Sequence, residues 1–376
     1  MSKLLKWFDE NKDRIHKIFK TLHSMPEPGF NELKTSDFLA GELERCGYEV
    51  RRDFAGTAVL GVKRGRETGP CVCLRGEMDA LTFTIDGETR HIHACGHDAN
   101  CTEVLSAAIA AAETGFPERG TLMILFQPCE EGMKGAKAVI ESGALTGVDY
   151  MFATHLRPAA EMRRGACPAV LHGAMTLAEL KVHGKSAHGA RPHEGVNAAI
   201  AAARIVDGVS RVDTSGGAPC SMKATRITTG DGSLNIIPAE CCVYFDMRAQ
   251  TNERMDALKA RLSEIAQTAA GEMGAAVELS YTGGVPAAIP SKEAEEHART
   301  AIMRVFGAAL YHPPITTAGG EDFHYYPLLM PGVRTTVFGF GADMKEGLHN
   351  PNMSFDDSIL PAAAKTLAAA VEDILK

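Results

Sequence analysis

No stretch of this sequence approaches the roughly 18 to 20 consecutive apolar residues of a membrane-spanning helix, and no block of lysine and arginine stands out along it. The first absence argues against an integral membrane protein. The second, together with a net charge of -8, argues against nucleic acid or an anionic membrane as a partner. The opening segment, "MSKLLKWFDENKDRIHKIFKTLH", reads as a charged amphipathic helix lacking the apolar block and cleavage site of a secretory signal, so a cytoplasmic location is expected. Internal repeats and low-complexity tracts are also missing, apart from alanine enrichment that suits helices. Small-molecule chemistry is the remaining default.

What is present is enough chain for two domains: 376 residues, 45% of them hydrophobic, can bury substantial cores. Ten cysteines are scattered over a chain with no export signal, which favours reduced thiols over a disulfide scaffold. Cys71, Cys73, Cys241 and Cys242 lie in strand-like segments, where a free cysteine behaves as a small apolar residue.

The first part of the chain alternates helical and strand patterns. A helix is predicted near 4–24 and another near 32–46, with strands near 49–63 and 70–76. "NCTEVLSAAIAAAETG" reads as an Ala-rich helix, "GTLMILFQPCEEG" as a buried strand entering a polar turn, and "VDYMFATHLRP" as a strand ending near His155. Between 172 and 283 the order becomes β-α-β-β-α-β, the ferredoxin-like arrangement, and from 284 to 376 the α/β texture resumes. The expected class is therefore α/β, with residues 1–171 and 284–376 forming one domain and 172–283 an inserted α+β module.

Polar clusters sit at the ends of these strands, where open α/β sheets place their ligand crevices. In "HACGHDANC", Cys95 and His97 are separated by one residue at a helix start, a spacing that suits a borderline divalent metal or a thiol nucleophile with its base. Glu130 and Glu131 close the apolar strand "LMILF"; beside a metal, one carboxylate would coordinate it while the other accepts a proton from water. His155 in "ATHLRP" and His349 in "GLHNPN" complete a five-ligand set with Cys95, His97 and Glu131, enough for two cations.

"RGEMDAL", "HACGHDA", "FQPCEEGMKGAKAVIESGAL", "THLRP", "GKSAHGARPHEGVNAA", "GGEDFHYY" and "LHNPNMSFDD" occur in the order and approximate spacing of the dinuclear metallopeptidase family of amidohydrolases, over residues 20 to 360. The chain resembles the branch of hippurate hydrolases, N-acetyl-amino-acid deacetylases, indole-acetyl-amino-acid hydrolases and aminobenzoyl-glutamate hydrolases. That resemblance implies a catalytic α/β domain interrupted by a lid that commonly also dimerises. It makes Cys95, His97, Glu131, His155 and His349 the ligands of two divalent ions, Glu130 the general base, and Asp79 the carboxylate orienting an imidazole beneath the metals. In the lid it implies that His188 stabilises the oxyanion, often in the partner subunit's site, and that Asn235 and Arg248 contact the substrate carbonyl or carboxylate. Glu321 and Asp322 in "GGEDF" resemble a motif with a structural role near the site.

Departures from the branch pattern are Asn100 for histidine, Thr82 for proline, and Cys129 beside the base; they bear on the substrate more than on the reaction. The expected activity is metal-dependent hydrolysis of an N-acyl or N-aroyl amino acid, or of a small dipeptide-like amide, with an aminobenzoyl-glutamate-type or aromatic-amine hydrolase as the alternative. From other classes, a Cys-dependent hydrolase or a non-catalytic metal-binding module stays open. Zinc, manganese, cobalt and nickel all suit mixed sulfur, nitrogen and oxygen ligands. A homodimer through the lid is the expected assembly.

Overall fold

The computed structural model describes residues 1–230 and 233–376, which divide into two compact units. One comprises 1–171, 289–317 and 322–376; the other comprises 172–288 and 318–321.

The larger unit is built on a seven-stranded sheet, ordered Glu49–Arg51, Val59–Arg64, Arg119–Gln127, Glu67–Glu77, Tyr150–Pro158, Arg334–Met344, Gly165–Cys167. Its four central strands are parallel, and antiparallel strands flank them on both sides. Parallel strands are covered on both faces, which explains apolar runs such as "LMILF". Strand alternation then deals neighbouring residues to different cores. Val72 and Leu74 join the one containing the helices His97–Glu113 and Leu360–Leu375, whereas Cys71 and Cys73 join the one containing Ala136 and Val139 of the helix Gly135–Glu141. Helix His97–Glu113 is buried around almost its whole circumference, and its alanines let the equally Ala-rich Leu360–Leu375 pack against it.

In the smaller unit, four antiparallel strands are ordered Cys220–Thr229, Glu240–Ala249, Ala174–His183, Ala276–Val285. With helices Ala198–Ser210 and Asn252–Glu272 this is the ferredoxin-like arrangement. Cys241, Val243, Phe245, Met247 and Ala249 face the helices, while the alternate residues Cys242, Tyr244, Asp246 and Arg248 line the open face.

Several element boundaries differ from the sequence reading. The single helix expected near 4–24 is two, Lys3–Glu10 and Lys12–His23, because Asn11 leaves helical geometry and its side chain donates to the Trp7 carbonyl oxygen at 2.8 Å. The strand expected over 49–63 is interrupted between Arg51 and Val59 by a turn containing the positive-φ residues Ala55 and Gly56. A hairpin, Leu81–Ile85 with Glu88–Ile92, follows Asp79 and was not anticipated, although its Asp86-Gly87 tip is the favoured two-residue turn with both φ values positive. Among the described residues, no helix is long and apolar enough to cross a membrane.

Candidate metal centre

The four central parallel strands deliver their polar residues at their carboxyl ends. Asp79 follows Glu67–Glu77, Glu130 and Glu131 follow Arg119–Gln127, His155 lies within Tyr150–Pro158, and His349 follows Arg334–Met344. Between them enters the loop carrying Cys95, where Gly96 takes φ +86 and His97 begins a helix. A side chain at residue 96 would meet Leu156 in a conformation that favours glycine, so this tight entry is suited to glycine alone.

Donor atoms of these residues fall into overlapping groups, each lying within 4.8 Å: Cys95 with His97 and His155, Cys95 with Glu131 and His349, and His97 with Glu130 and Glu131. Cys95 Sγ lies 3.6 Å from His155 Nε2, and His349 Nε2 lies 3.3 Å from a Glu131 oxygen. His155 Nδ1 donates to the Leu156 carbonyl at 2.7 Å and His97 Nδ1 to the Asp79 carbonyl at 2.9 Å, which turns both Nε2 atoms towards the cluster. His97 Nε2 is buried and makes no hydrogen bond among the described residues; a Glu130 oxygen stands 3.8 Å away.

Electrostatics point the same way. Burial opposes charge on His97, yet Cys95 and Asp79 beside it hold its pKa well above the imidazole range. Hydrogen bonds with Cys95 and then Glu131 push His349 up to about 10. Burial would raise Glu131, but His349 and His97 bring it below its usual value. The pocket therefore favours positive charge, and its sulfur, imidazole and carboxylate donors would suit divalent cations.

Asp79 meets the His97 ring with both its carbonyl and its carboxylate, and it also holds the turn that carries the two glutamates. Its carbonyl takes the closer contact with His97; its carboxylate, 3.3 Å from that ring, accepts from the backbone N–H groups of Glu130 at 3.1 Å and Glu131 at 3.0 Å. Asp322 donates its backbone N–H to Glu130 at 3.2 Å, and its carboxylate joins Arg75 and Gln127 in a fully buried network. Asn100 Nδ2 donates to Glu77 at 3.0 Å, outside the ligand groups, and the Cys101 thiol donates to the Glu77 carbonyl. Asp98 binds His23 at 2.6 Å, tying the helix Lys12–His23 to the start of the one carrying His97. Glu32 had no distinguishing signal in the sequence, being a single polar residue at the edge of a helix pattern, whereas Arg75, Glu77 and Gln127 stand within "RGEMDAL" and "FQPCEEG" but were given no role there.

In the smaller unit His188 and Asn235 are brought together. His188 pairs with Ile236 in a two-stranded ribbon, Gly189 N–H donates to the Asn235 carbonyl at 2.7 Å, and both side chains are exposed. Arg248 is not with them. It lies eight residues along its strand from Glu240, where the ribbon joins the sheet, or about 26 Å at roughly 3.3 Å per residue. There its guanidinium engages Asp246 through Nε and Nη2 at 2.9 to 3.1 Å.

The profile of Peptidase family M20/M25/M40 matches residues 73–373. The chain is 30% identical to the IAA-amino acid hydrolase ILR1-like 2 of Arabidopsis thaliana, over 97% of this chain and 86% of that one. It is 26% identical to the N-acetyl-L-cysteine deacetylase of Bacillus subtilis, over 95% and 87%. Its fold superposes with a TM-score of 0.79 on a Bacillus subtilis protein described as a dinuclear metal binding peptidase, at 24% identity and covering 96% and 98% of the two chains. With a family match that spans the whole strand-end cluster and both flanks of the inserted unit, the chain belongs to peptidase family M20/M25/M40 and is a hydrolase of amide bonds.

Proposed function

We propose that this protein hydrolyses the amide bond of an N-acyl or N-aroyl amino acid, releasing a carboxylic acid and a free amino acid. The observation that carries this reading is the pair of donor groups sharing Cys95, with the Glu130 carboxylate at 3.8 Å from the buried, unbonded Nε2 of His97. Relatives named for hydrolysis of IAA-amino acids and deacetylation of N-acetyl-L-cysteine support the substrate class.

Cys95, His97, Glu131, His155 and His349 would hold two divalent ions, whose charge polarises an amide carbonyl and acidifies water. Glu130 takes the proton from the attacking water and returns it to the leaving amine. Its backbone is fixed by Asp79, and the Asp322 N–H steadies one carboxylate oxygen. His188 donates to the developing oxyanion, with Asn235 beside it, and Arg248 pairs with the amino-acid carboxylate. The smaller unit serves as a lid. Because His188 and Arg248 lie near opposite ends of its sheet, one small substrate cannot meet both within a single subunit, which supports a homodimer in which the partner supplies one of them. Ten free cysteines are consistent with a cytoplasmic setting.

Turnover by metal-reconstituted protein over a panel of acyl amino acids and aroyl-glutamates tests the reading. The expected result is chelator-sensitive hydrolysis, with Glu130→Gln lowering kcat by about 100- to 10,000-fold at unchanged metal content. Activity that survives both chelator and Glu130→Gln would sink it, and alkylation-sensitive turnover in chelator would favour a cysteine nucleophile instead.

A further inference from the structure

The turn that presents Glu130 is held in a conformation its own sequence does not favour. Cys129 takes φ +53 and Met133 φ +56, the left-handed region ordinarily left to glycine. Three successive backbone N–H groups of this turn meet buried carboxylates. Those of Glu130 and Glu131 converge on Asp79, and that of Cys129 donates to Glu32 at 2.9 Å. Successive amides around a left-handed residue form a concavity that receives anions.

Glu32 is fully buried, and its second oxygen accepts the Thr57 hydroxyl. A buried carboxyl served by a hydroxyl and an amide, with no cation among these partners, is costly to keep and calls for a task. The segment leading to it is pressed onto the same residue: a Cβ on Gly29 would stand 2.8 Å from Cys129 Sγ and 3.0 Å from Cys129 Cα. Glu32 belongs to none of the donor groups found among the described residues; it bonds the residue before the base.

We propose that Glu32 is a positioning residue for Glu130. By capturing the Cys129 N–H it holds that residue in the left-handed region and so fixes the direction in which the next residue leaves the turn. The inference rests on Glu130 being the general base.

The test compares Glu32→Ala, Glu32→Gln and the double variant Glu32→Ala with Cys129→Gly, all metal-reconstituted. Glu32→Ala is expected to lower kcat by about 10- to 100-fold with KM within about 3-fold, the signature of a displaced base. Glu32→Gln keeps an acceptor for the Cys129 N–H and stays within about 3-fold of the parent. Cys129→Gly, free to adopt the left-handed conformation, recovers part of the kcat lost in Glu32→Ala. Amide exchange over residues 129–131, read by mass spectrometry, speeds in Glu32→Ala and not in Glu32→Gln, while metal content is the same throughout.

A folded Glu32→Ala protein with unchanged kcat overturns the proposal, as does an equal loss in Glu32→Gln or a loss accounted for by missing metal. Should the alanine variant not fold, Thr57→Val replaces it, with a drop of about 3-fold in kcat at constant KM expected and an unchanged kcat counting against the role. Glu130→Gln, measured alongside, separates the two readings: retained turnover there overturns the base assignment and this inference with it. An inactive Glu130→Gln beside an unimpaired Glu32→Ala overturns the role of Glu32 alone.

Discussion

In the larger unit Arg75, Glu77, Asp79, His97, Gln127 and Asp322 are all essentially excluded from solvent and bonded to one another or to backbone, whereas in the inserted unit His188 and Asn235 are exposed and Arg248 is half-exposed against Asp246. The difference is one of cost. Polar groups taken out of water must find partners, so the first set is locked into a single arrangement before any substrate arrives. Exposed side chains carry no such penalty and stay free to reorganise around a ligand or a second subunit. Fixed polar groups thus sit in one unit, and side chains free to adjust sit in the other.

Removing a buried charge should break this contrast most severely. Arg75→Leu leaves Glu77 and Asp322 without their shared guanidinium, and a loss of about 3 to 5 kcal/mol in denaturant unfolding is expected. A loss under about 1 kcal/mol would mean that the buried set is not locked by these partners.

Next in size is a pH effect. Glu103 is fully buried beneath the sheet, bonded to the Thr154 hydroxyl, and burial pushes it up to about 8 from an ordinary 4.5. The folded chain therefore keeps a proton that the unfolded chain releases above about pH 4.5. Its contribution to stability is full below that pH and is lost as pH rises through 8. Glu103→Gln should remove this slope, gaining about 2 to 4 kcal/mol on wild type between pH 5 and pH 8 in paired unfolding curves. Parallel curves would show that Glu103 titrates normally.

For the inserted unit the expected effects are on binding. If Arg248 pairs with the substrate carboxylate as proposed, Arg248→Ala should raise KM by about 10- to 100-fold with kcat within about 3-fold, because that contact would be made equally in ground and transition states. A kcat-only effect would move Arg248 from recognition into the chemical step. Smallest of all, Arg211→Ala deletes an exposed pair with Asp207, and a change under about 0.5 kcal/mol in unfolding is expected.

Much of this was legible in the residues. Strand patterns ending in Glu130–Glu131 and His155, and the Cys95–His97 spacing, are local signals, and the β-α-β-β-α-β order needs only periodicity. Two other kinds of feature were not legible. Helix and strand interruptions at Asn11 and after Arg51 depend on single-residue backbone geometry that periodicity averages over. The tasks of Glu32, Arg75 and Asp322 depend on partners 97, 52 and 192 residues away, at Cys129, Gln127 and Glu130.

The sequence by itself therefore determined which donor groups stand at the strand ends, since thiol, imidazole and carboxylate there are a property of residue type and position. Tertiary structure decided how they are held. Only the packed sheet brings Asp79 beneath the Glu130–Glu131 turn and seats Glu32 against Cys129, because a buried hydrogen bond is selected by which groups lose water together, and chain order does not specify that.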